Sequence, residues 1–219
     1  MNIGSRLIIL FMFVGLRTFS QSVSGDTLQH IASFFKKWDN ANTPGAMIAI
    51  SRHGQVIYAN AWGMADIENN IPNTPSTIAP IASLSKQFTA AAILLLEQEG
   101  KLSLDDNIRK YLPALPQFEE PILIRQLLNH TSGLQDWTQI LLLTNKGSDY
   151  PFNNDSVLNM MARIKQLNNN PGELYVYTNT NYSLLASIVE KCSGLSFPEF
   201  CKSKLFMPLN LKDTRWGTP

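Results

Sequence analysis

The spacing of apolar residues is helical near the start of the chain. Apolar positions from Leu28 to Trp38 recur every three or four residues, which predicts a helix over this stretch. Asp26 stands just before it and is predicted to cap its first turn. Phe34 and Phe35 are predicted to lie on the buried face of this helix.

Two apolar runs follow and indicate strands. Residues 46–51 and 55–62 are separated by Arg52, His53 and Gly54, which predicts a β-hairpin. Residues 69–76 contain two prolines and three asparagines and are predicted to form a loop. A two-stranded hairpin is marginally stable alone, so it needs partner strands, and no later segment has a strand pattern.

Helical spacing returns in the rest of the chain, broken by glycine, proline and asparagine. Helices are predicted over residues 83–99, 124–128, 182–192 and 199–206, and over a stretch beginning at a cap on Asp155 or Ser156 and extending to Ile164. A short helical piece is predicted between residues 103 and 112, and residues 145–154 are predicted to be a polar loop.

Residues 1–22 have the pattern of a secretory signal peptide. Arg6 precedes a ten-residue apolar run, and small residues follow at Ser20 and Ser22. The alternative is a membrane anchor, but ten helical residues rise about 15 Å, whereas the hydrocarbon core is roughly 30 Å thick. We therefore expect cleavage near residue 22, no membrane span afterwards, and an exported protein, either periplasmic or secreted.

Composition and charge exclude several classes of function. The chain has 219 residues, with 18 Lys and Arg against 17 Asp and Glu, so no strong field favours nucleic acid as a partner. The three histidines are scattered, which argues against a metal site, and no cofactor motif is present. The two cysteines, Cys192 and Cys201, are predicted to be packing residues without a disulfide.

Ser83 and Lys86 are candidate reacting groups at the start of a predicted helix. Residues three apart lie on one helix face, so the Lys86 amine can reach the Ser83 hydroxyl. A serine hydroxyl is a weak nucleophile and needs a neighbouring base. The apolar neighbours Ile81, Leu84 and Phe88 are expected to favour the neutral lysine that this role needs. The same spacing at Ser33 and Lys36 falls inside an amphipathic helix and is interpreted as structural.

Tyr177 and Asn179 form a second candidate pair, just before the helix predicted from residue 182. A tyrosine beside a lysine can act as general base and then as general acid. An asparagine amide can donate and accept, so Asn179 could hold both the lysine and a substrate amide. The similar pair Tyr58 and Asn60 lies in the predicted hairpin, where Tyr58 is expected to pack on its neighbours.

Four segments in order resemble one known family. Residues 81–89 (IASLSKQFT) resemble the active-site helix of class C β-lactamases, D,D-peptidases and related esterases. Residues 171–182 (PGELYVYTNTNY) are similar to the family's second motif, and residues 125–134 (RQLLNHTSGL) resemble the segment between the two. Residues 208–214 (PLNLKDT) are similar to the stretch that follows the second motif. The resemblance covers about residues 26–217.

The resemblance implies an α+β fold, with a helical region packed on an antiparallel sheet, for residues 23–219. It implies that Ser83 is the acyl-enzyme nucleophile, Lys86 its proton partner, Tyr177 the general base and acid, and Asn179 a substrate-binding residue. Residues 130–133 are interpreted as a structural turn that braces the site. No cofactor and no metal are implied.

The sequence departs from the family pattern in two ways. Ala82 stands where the family usually has glycine before the serine, at a tight junction. The third motif, Lys or His followed by Thr or Ser and Gly on a later strand, is absent from the sequence. We therefore expect residues 23–219 to be a partial domain that lacks the C-terminal strands of the sheet.

Several functions fit this pattern. The resemblance favours a serine hydrolase that forms an acyl-enzyme with a small-molecule or peptide acyl donor, including β-lactams. An esterase on the same fold is an alternative, because pocket shape decides acyl-group specificity. A truncated, non-catalytic binder of cell-wall peptide is another. A helical exported domain with chance motifs would not carry four matched segments in family order.

Overall fold

The computed structural model describes residues 23–144 and 153–217. The chain divides into two compact units, residues 1–79 and 80–219. The predicted signal peptide and most of the predicted loop 145–154 lie outside the described residues. Within the described ranges, no helix is both long enough and apolar enough to span a membrane.

The first unit begins with helix α1, Gly25–Phe35. Its N-cap is Ser24, whose hydroxyl accepts from the Thr27 amide at 3.3 Å, so the predicted cap at Asp26 is wrong. Asp26 lies in the first turn instead, where a negative charge interacts favourably with the helix dipole. Phe35 stacks on Trp62 with ring centroids 4.7 Å apart, but Phe34 is 62% exposed, so the predicted burial of Phe34 is wrong.

The predicted hairpin is confirmed. Strands β1, Ala46–Arg52, and β2, Gln55–Trp62, pair antiparallel, with Ala46 opposite Trp62. A second, shorter pairing joins β3, Met64–Asp66, to β4, Ile71–Pro72, so the prediction of a loop throughout residues 69–76 is wrong at β4. A strand of two residues is too short to show any alternation in the sequence.

The second unit is helical. It contains α2, Lys86–Gln98, α3, Ile124–Leu128, α4, Trp137–Leu143, α5, Asn154–Met161, α6, Asn179–Ser193, and α7, Phe197–Cys201. It also contains the 3₁₀ turns Ala82–Ser85 and Ile108–Lys110 and the π-helical turn Lys202–Phe206. Helix α6 packs against the five other α-helices of this unit.

Helix α6 supplies much of the core of this unit. Leu184, Leu185, Ile188 and Val189 are fully buried along it, and Ile93 and Leu96 of α2 are fully buried as well. Burying a leucine or isoleucine side chain stabilises a fold by about 1.5–3 kcal/mol relative to exposure. This packing fixes the start of α6 relative to the start of α2.

Three helices begin at residues that the sequence pattern did not predict. Helix α6 begins at Asn179 and not near residue 182, because the Thr178 hydroxyl accepts from the Thr180 amide at 3.1 Å. Asn153, and not Asp155 or Ser156, caps α5, which ends before Ile164. Helix α7 begins at Phe197, two residues before the predicted start at residue 199.

Helix α4 was not predicted at all. It is about two turns long and is capped by Asp136, whose Oδ1 accepts from the Thr138 amide at 3.1 Å. Cys192 and Cys201 are free thiols, in agreement with the prediction. Burial raises the pKa of Cys201 to about 11.

Candidate active site

Ser83 lies in the 3₁₀ turn Ala82–Ser85, immediately before α2. The helix predicted from residue 83 therefore begins as a 3₁₀ turn, in which side chains three apart eclipse each other. Lys86 is the first residue of α2, and its Nζ donates to Ser83 Oγ at 3.2 Å. Ala82, before the serine, has a φ of 45°, in the left-handed region.

Tyr177 and Asn179 complete a group of four side chains. Ser83 Oγ and the Tyr177 hydroxyl share a hydrogen bond of 2.8 Å, and Lys86 Nζ donates to Asn179 Oδ1 at 3.0 Å. The Tyr177 hydroxyl also lies 3.4 Å from Asn179 Oδ1. The structure thus brings together all four residues that the sequence singled out.

The charge of Lys86 acts on Tyr177. The Lys86 ammonium lies 5.0 Å from the centroid of the Tyr177 ring. Partial burial alone would raise the pKa of Tyr177, but the hydrogen bonds of Lys86 and Ser83 outweigh burial, and the pKa is lowered. A lowered pKa makes the phenolate more accessible near neutral pH, as a general base requires.

The expected apolar enclosure of the lysine is not present around the serine. Ile81 and Leu84 are both exposed, so that part of the prediction is wrong. Aromatic rings contact Lys86 on its other side, since its Nζ lies 5.6 Å from the centroid of the Tyr182 ring. Tyr182 is itself held by a bond of 3.1 Å from its hydroxyl to the Leu128 carbonyl.

Residues 130–133 run alongside the segment that carries Tyr177. The Val176 amide donates to the His130 carbonyl at 2.8 Å, and the Gly172 amide donates to the Thr131 carbonyl at 2.7 Å. The Asn168 amide donates to the Gly133 carbonyl at 2.8 Å. These backbone bonds agree with the interpretation of residues 130–133 as a brace.

His130 is the buried side chain of this brace, with 8% of its surface exposed. Its Nδ1 accepts from the Thr178 amide at 3.3 Å, and its ring centroid lies 4.5 Å from that of Tyr177. Burial first, and the charge of Lys86 second, lower the pKa of His130. Because Nδ1 is an acceptor, the imidazole is neutral and carries its proton on Nε2.

Asp136 is a site residue that the sequence analysis missed. Its Oδ2 lies 3.4 Å from Asn179 Nδ2, and its other oxygen caps α4. One signal in the sequence could have indicated Asp136. It lies two residues after the segment 125–134, which resembles the family. An acidic residue before a short apolar run can also mark a helix start.

The two similar motifs in the first unit have local roles. Ser33 Oγ donates to the His30 carbonyl of its own helix at 2.6 Å. Asn60 Nδ2 donates to the Tyr58 hydroxyl at 3.3 Å within β2. Among the residues that the structure describes, no group of three His, Cys, Asp or Glu side chains could hold a metal ion.

A family comparison agrees with this geometry. The family model named Beta-lactamase matches residues 31–219, which is most of the chain. The chain belongs to the beta-lactamase family. Its α+β fold, with helices and small antiparallel sheets, is the fold of that family.

Curated members of the beta-lactamase family are similar to this chain over most of its length. Penicillin-binding protein 4* of Bacillus subtilis is 33% identical over 187 residues, which are 85% of this chain and 41% of that protein. A D-aminopeptidase of Brucella canis is 34% identical over 79% of this chain and 33% of that protein. This beta-lactamase family chain therefore spans less than half the length of these curated relatives.

Solved structures of the beta-lactamase family are similar as well. The octameric penicillin-binding protein homologue from Pyrococcus abyssi superposes with a TM-score of 0.72 at 34% identity. That match covers 85% of this chain and 43% of the other.

Proposed function

We propose that this chain supplies the nucleophile and proton-transfer groups of a serine hydrolase that acts on peptide-like or β-lactam acyl donors. One observation carries the proposal. Ser83 Oγ lies within hydrogen-bond distance of both the Tyr177 hydroxyl, at 2.8 Å, and Lys86 Nζ, at 3.2 Å. A nucleophile bonded to its base, with the base oriented by further groups, is the arrangement that activates a serine.

In the proposed reaction, Ser83 Oγ attacks the carbonyl carbon of the donor while its proton passes to Tyr177. The carbon–nitrogen bond then breaks, and the leaving nitrogen takes that proton from Tyr177. The product is an ester between Ser83 and the acyl group. Water, activated by Tyr177 in turn, releases the acid and restores the serine. Lys86 stabilises the negative charge on Tyr177, and Asn179 holds Lys86 and the substrate amide.

The names of the relatives support amide-like donors. The similar proteins include one named penicillin-binding protein and one named D-aminopeptidase, and the solved structures include a D-amino acid amidase from Ochrobactrum anthropi at 27% identity. Residues 1–22, with Arg6 before an apolar run, further support export of the protein to the periplasm or medium.

The test is the mass of the intact protein after exposure to a penicillin. We expect the unchanged chain to gain the full mass of the penicillin, because opening the ring loses no atoms. Ser83→Ala should gain nothing, since the attacking oxygen is gone. Ser33→Ala is the matched control, because Ser33 also precedes a lysine by three residues but donates only to its own helix.

Equal labelling of the Ser83→Ala protein would overturn the assignment of the nucleophile. Labelling by an activated ester and not by penicillin would favour the esterase alternative. If neither reagent labels the folded chain, the proposed acylation by this chain is wrong. The unmodified mass of the secreted protein also tests the cut near residue 22.

A further inference from the structure

The amide of Asn179 is held between a carboxylate and a cation. Asp136 Oδ2 lies 3.4 Å from Asn179 Nδ2, at the long end of the hydrogen-bond range. On the opposite side, Asn179 Oδ1 accepts from Lys86 Nζ at 3.0 Å. An ionised carboxylate only accepts, so the donor end of the amide must face Asp136. The acceptor end must then face Lys86.

The backbone around Asp136 is tied to the residue that follows Asn179. The Thr180 hydroxyl donates to the Gln135 carbonyl at 2.6 Å and accepts from the Trp137 amide at 2.9 Å. Thr180 is fully buried. These two bonds lie on either side of Asp136 and hold its carboxylate beside the start of α6. The contact between Asp136 and Asn179 is therefore built into the fold of this unit.

We propose that Asp136 is a positioning residue that fixes the orientation of the Asn179 amide, so that Oδ1 always faces Lys86. The proposal deepens the proposed function and rests on it. Lys86 alone does not fix this orientation, because its Nζ contacts only the Oδ1 end of the amide, and the Nδ2 end faces Asp136. Asp136 keeps its acceptor character throughout.

Asp136 also contributes a negative charge to the surroundings of Tyr177. In the part of the chain that the structure describes, the titratable groups beside the Tyr177 side chain are Lys86, His130, Asp136 and the phenol of Tyr182. The charge of Lys86 lowers the pKa of Tyr177, and the charge of Asp136 opposes this by raising it. Removing the Asp136 charge should lower the pKa of Tyr177 further and shift the acylation pH profile to lower pH.

The test is the acylation rate of Asp136→Asn with a penicillin. Asparagine caps helices as well as aspartate does, so α4 should keep its first turn. The new Oδ1 keeps the cap on the Thr138 amide, so the new Nδ2 faces Asn179 Nδ2. Two donors cannot bond, so the Asn179 amide is no longer held with its Oδ1 toward Lys86. We expect the maximal acylation rate to fall on the order of 10- to 100-fold, because small misplacements near the reacting atoms have effects of that size. The penicillin concentration for half-maximal rate should change little.

Asp155→Asn is the matched control. Asp155 also lies in the first turn of a helix, and its loss removes the same charge from an exposed position away from the four site side chains. We expect its acylation rate and pH profile to match those of the unchanged chain. If Asp136→Asn fails to fold, Asp136→Ser keeps a capping oxygen but is too short to reach Asn179, and it should show the same loss.

An NMR measurement separates this proposal from the proposed function. The Asn179 side-chain amide protons should have clearly different chemical shifts in Asp136→Asn and in the unchanged chain, and no such difference should appear in Asp155→Asn, whether or not penicillin reacts. Acylation of Asp136→Asn at the unchanged rate and pH profile would overturn the positioning role and leave the hydrolase proposal standing. Absence of acylation in the unchanged chain would overturn the hydrolase proposal, and the amide shifts would still test Asp136.

Discussion

Ala82 shows how a single residue next to the nucleophile can carry strain. Its φ of 45° lies in the left-handed region, where a Cβ approaches the following carbonyl. The strain sits directly before Ser83, in the turn that directs the serine toward Tyr177. The position of Ala82 already suggested this strain, because the family that the sequence resembles usually has glycine there.

Ala82→Gly should therefore stabilise the chain. Relief of the left-handed strain, about 1–2 kcal/mol, is partly offset by the greater freedom of glycine in the unfolded chain, so we expect a net gain of about 0.5–1 kcal/mol. Urea unfolding followed by circular dichroism measures it. Ala90→Gly, in the middle of α2, should instead cost about 1 kcal/mol. A loss of stability in both variants would show that Ala82 is not strained.

Some site residues could be predicted from the sequence and others could not. Ser83, Lys86, Tyr177 and Asn179 stand in short motifs whose order and flanks are distinctive. Asp136 contacts Asn179, 43 positions away, and no local spacing reports such a contact. Its cap role was hidden as well, because the seven residues of α4 are too few to establish a helical period in the sequence.

At the scale of elements, the sequence pattern predicted which helices and strands exist better than it predicted where they begin and end. The hairpin and α3 were predicted closely, since turn residues and apolar runs bound them on both sides. The start of α6 was placed three residues late, because Thr178 caps it through a side-chain bond that the apolar pattern does not record. That boundary matters for the site, since it makes Asn179 the first residue of the helix.

The brace formed by residues 130–133 can be tested at Gly133. Gly133 has a φ of 74°, and a Cβ there would overlap the carbonyl oxygen of Asn169. Gly133→Ala should therefore displace the segment that leads to Tyr177, lowering stability by more than 1–2 kcal/mol and slowing acylation. Urea unfolding and penicillin labelling measure the two effects.

Gly194→Ala is the control for Gly133→Ala. Gly194 has a similar φ of 71° at the end of α6, but a Cβ there meets nothing within 4 Å. The free energy of unfolding of Gly194→Ala should fall only by the cost of backbone strain, about 1–2 kcal/mol, and its acylation rate should not change. Equal behaviour of the two variants would contradict a bracing role for Gly133.

At the scale of the whole molecule, the resemblance predicted the fold class more reliably than the patterns did. In the described part of the chain, β1 and β2 pair only with each other, so the partner strands that the hairpin was expected to need are not found there. All four candidate site residues, together with His130 and Asp136, lie in the second unit. The site geometry therefore follows from the packing of that helical unit.

The buried neutral His130 should make folding depend on pH. Its pKa is lowered in the folded chain, so the unfolded chain takes up a proton first as the pH falls below about 6.5. Its contribution to stability is complete above that pH and declines below it. We expect the free energy of unfolding to fall more steeply between about pH 7 and 5 in the unchanged chain than in His130→Asn.

Asparagine suits this comparison because it tolerates the left-handed φ of 57° at position 130 and retains an acceptor for the Thr178 amide. Urea unfolding at a series of pH values gives both curves. Other titrating groups are common to the two proteins, so their difference isolates His130. Parallel curves would mean that His130 takes up its proton equally well in the folded chain.

The hydrogen-bonded residues of the site lie far apart along the chain. This separation determines when Ser83 can become reactive during synthesis. Ser83 bonds to a residue 94 positions later, and Lys86 to one 93 positions later. Closing a loop of this length has an entropic cost that only the packing of the later helices can offset. A nascent chain that has emerged only as far as α5 thus carries an inert serine. The proposed acyl transfer would begin only after α6 has docked, so reactivity toward a penicillin would report the docking of α6.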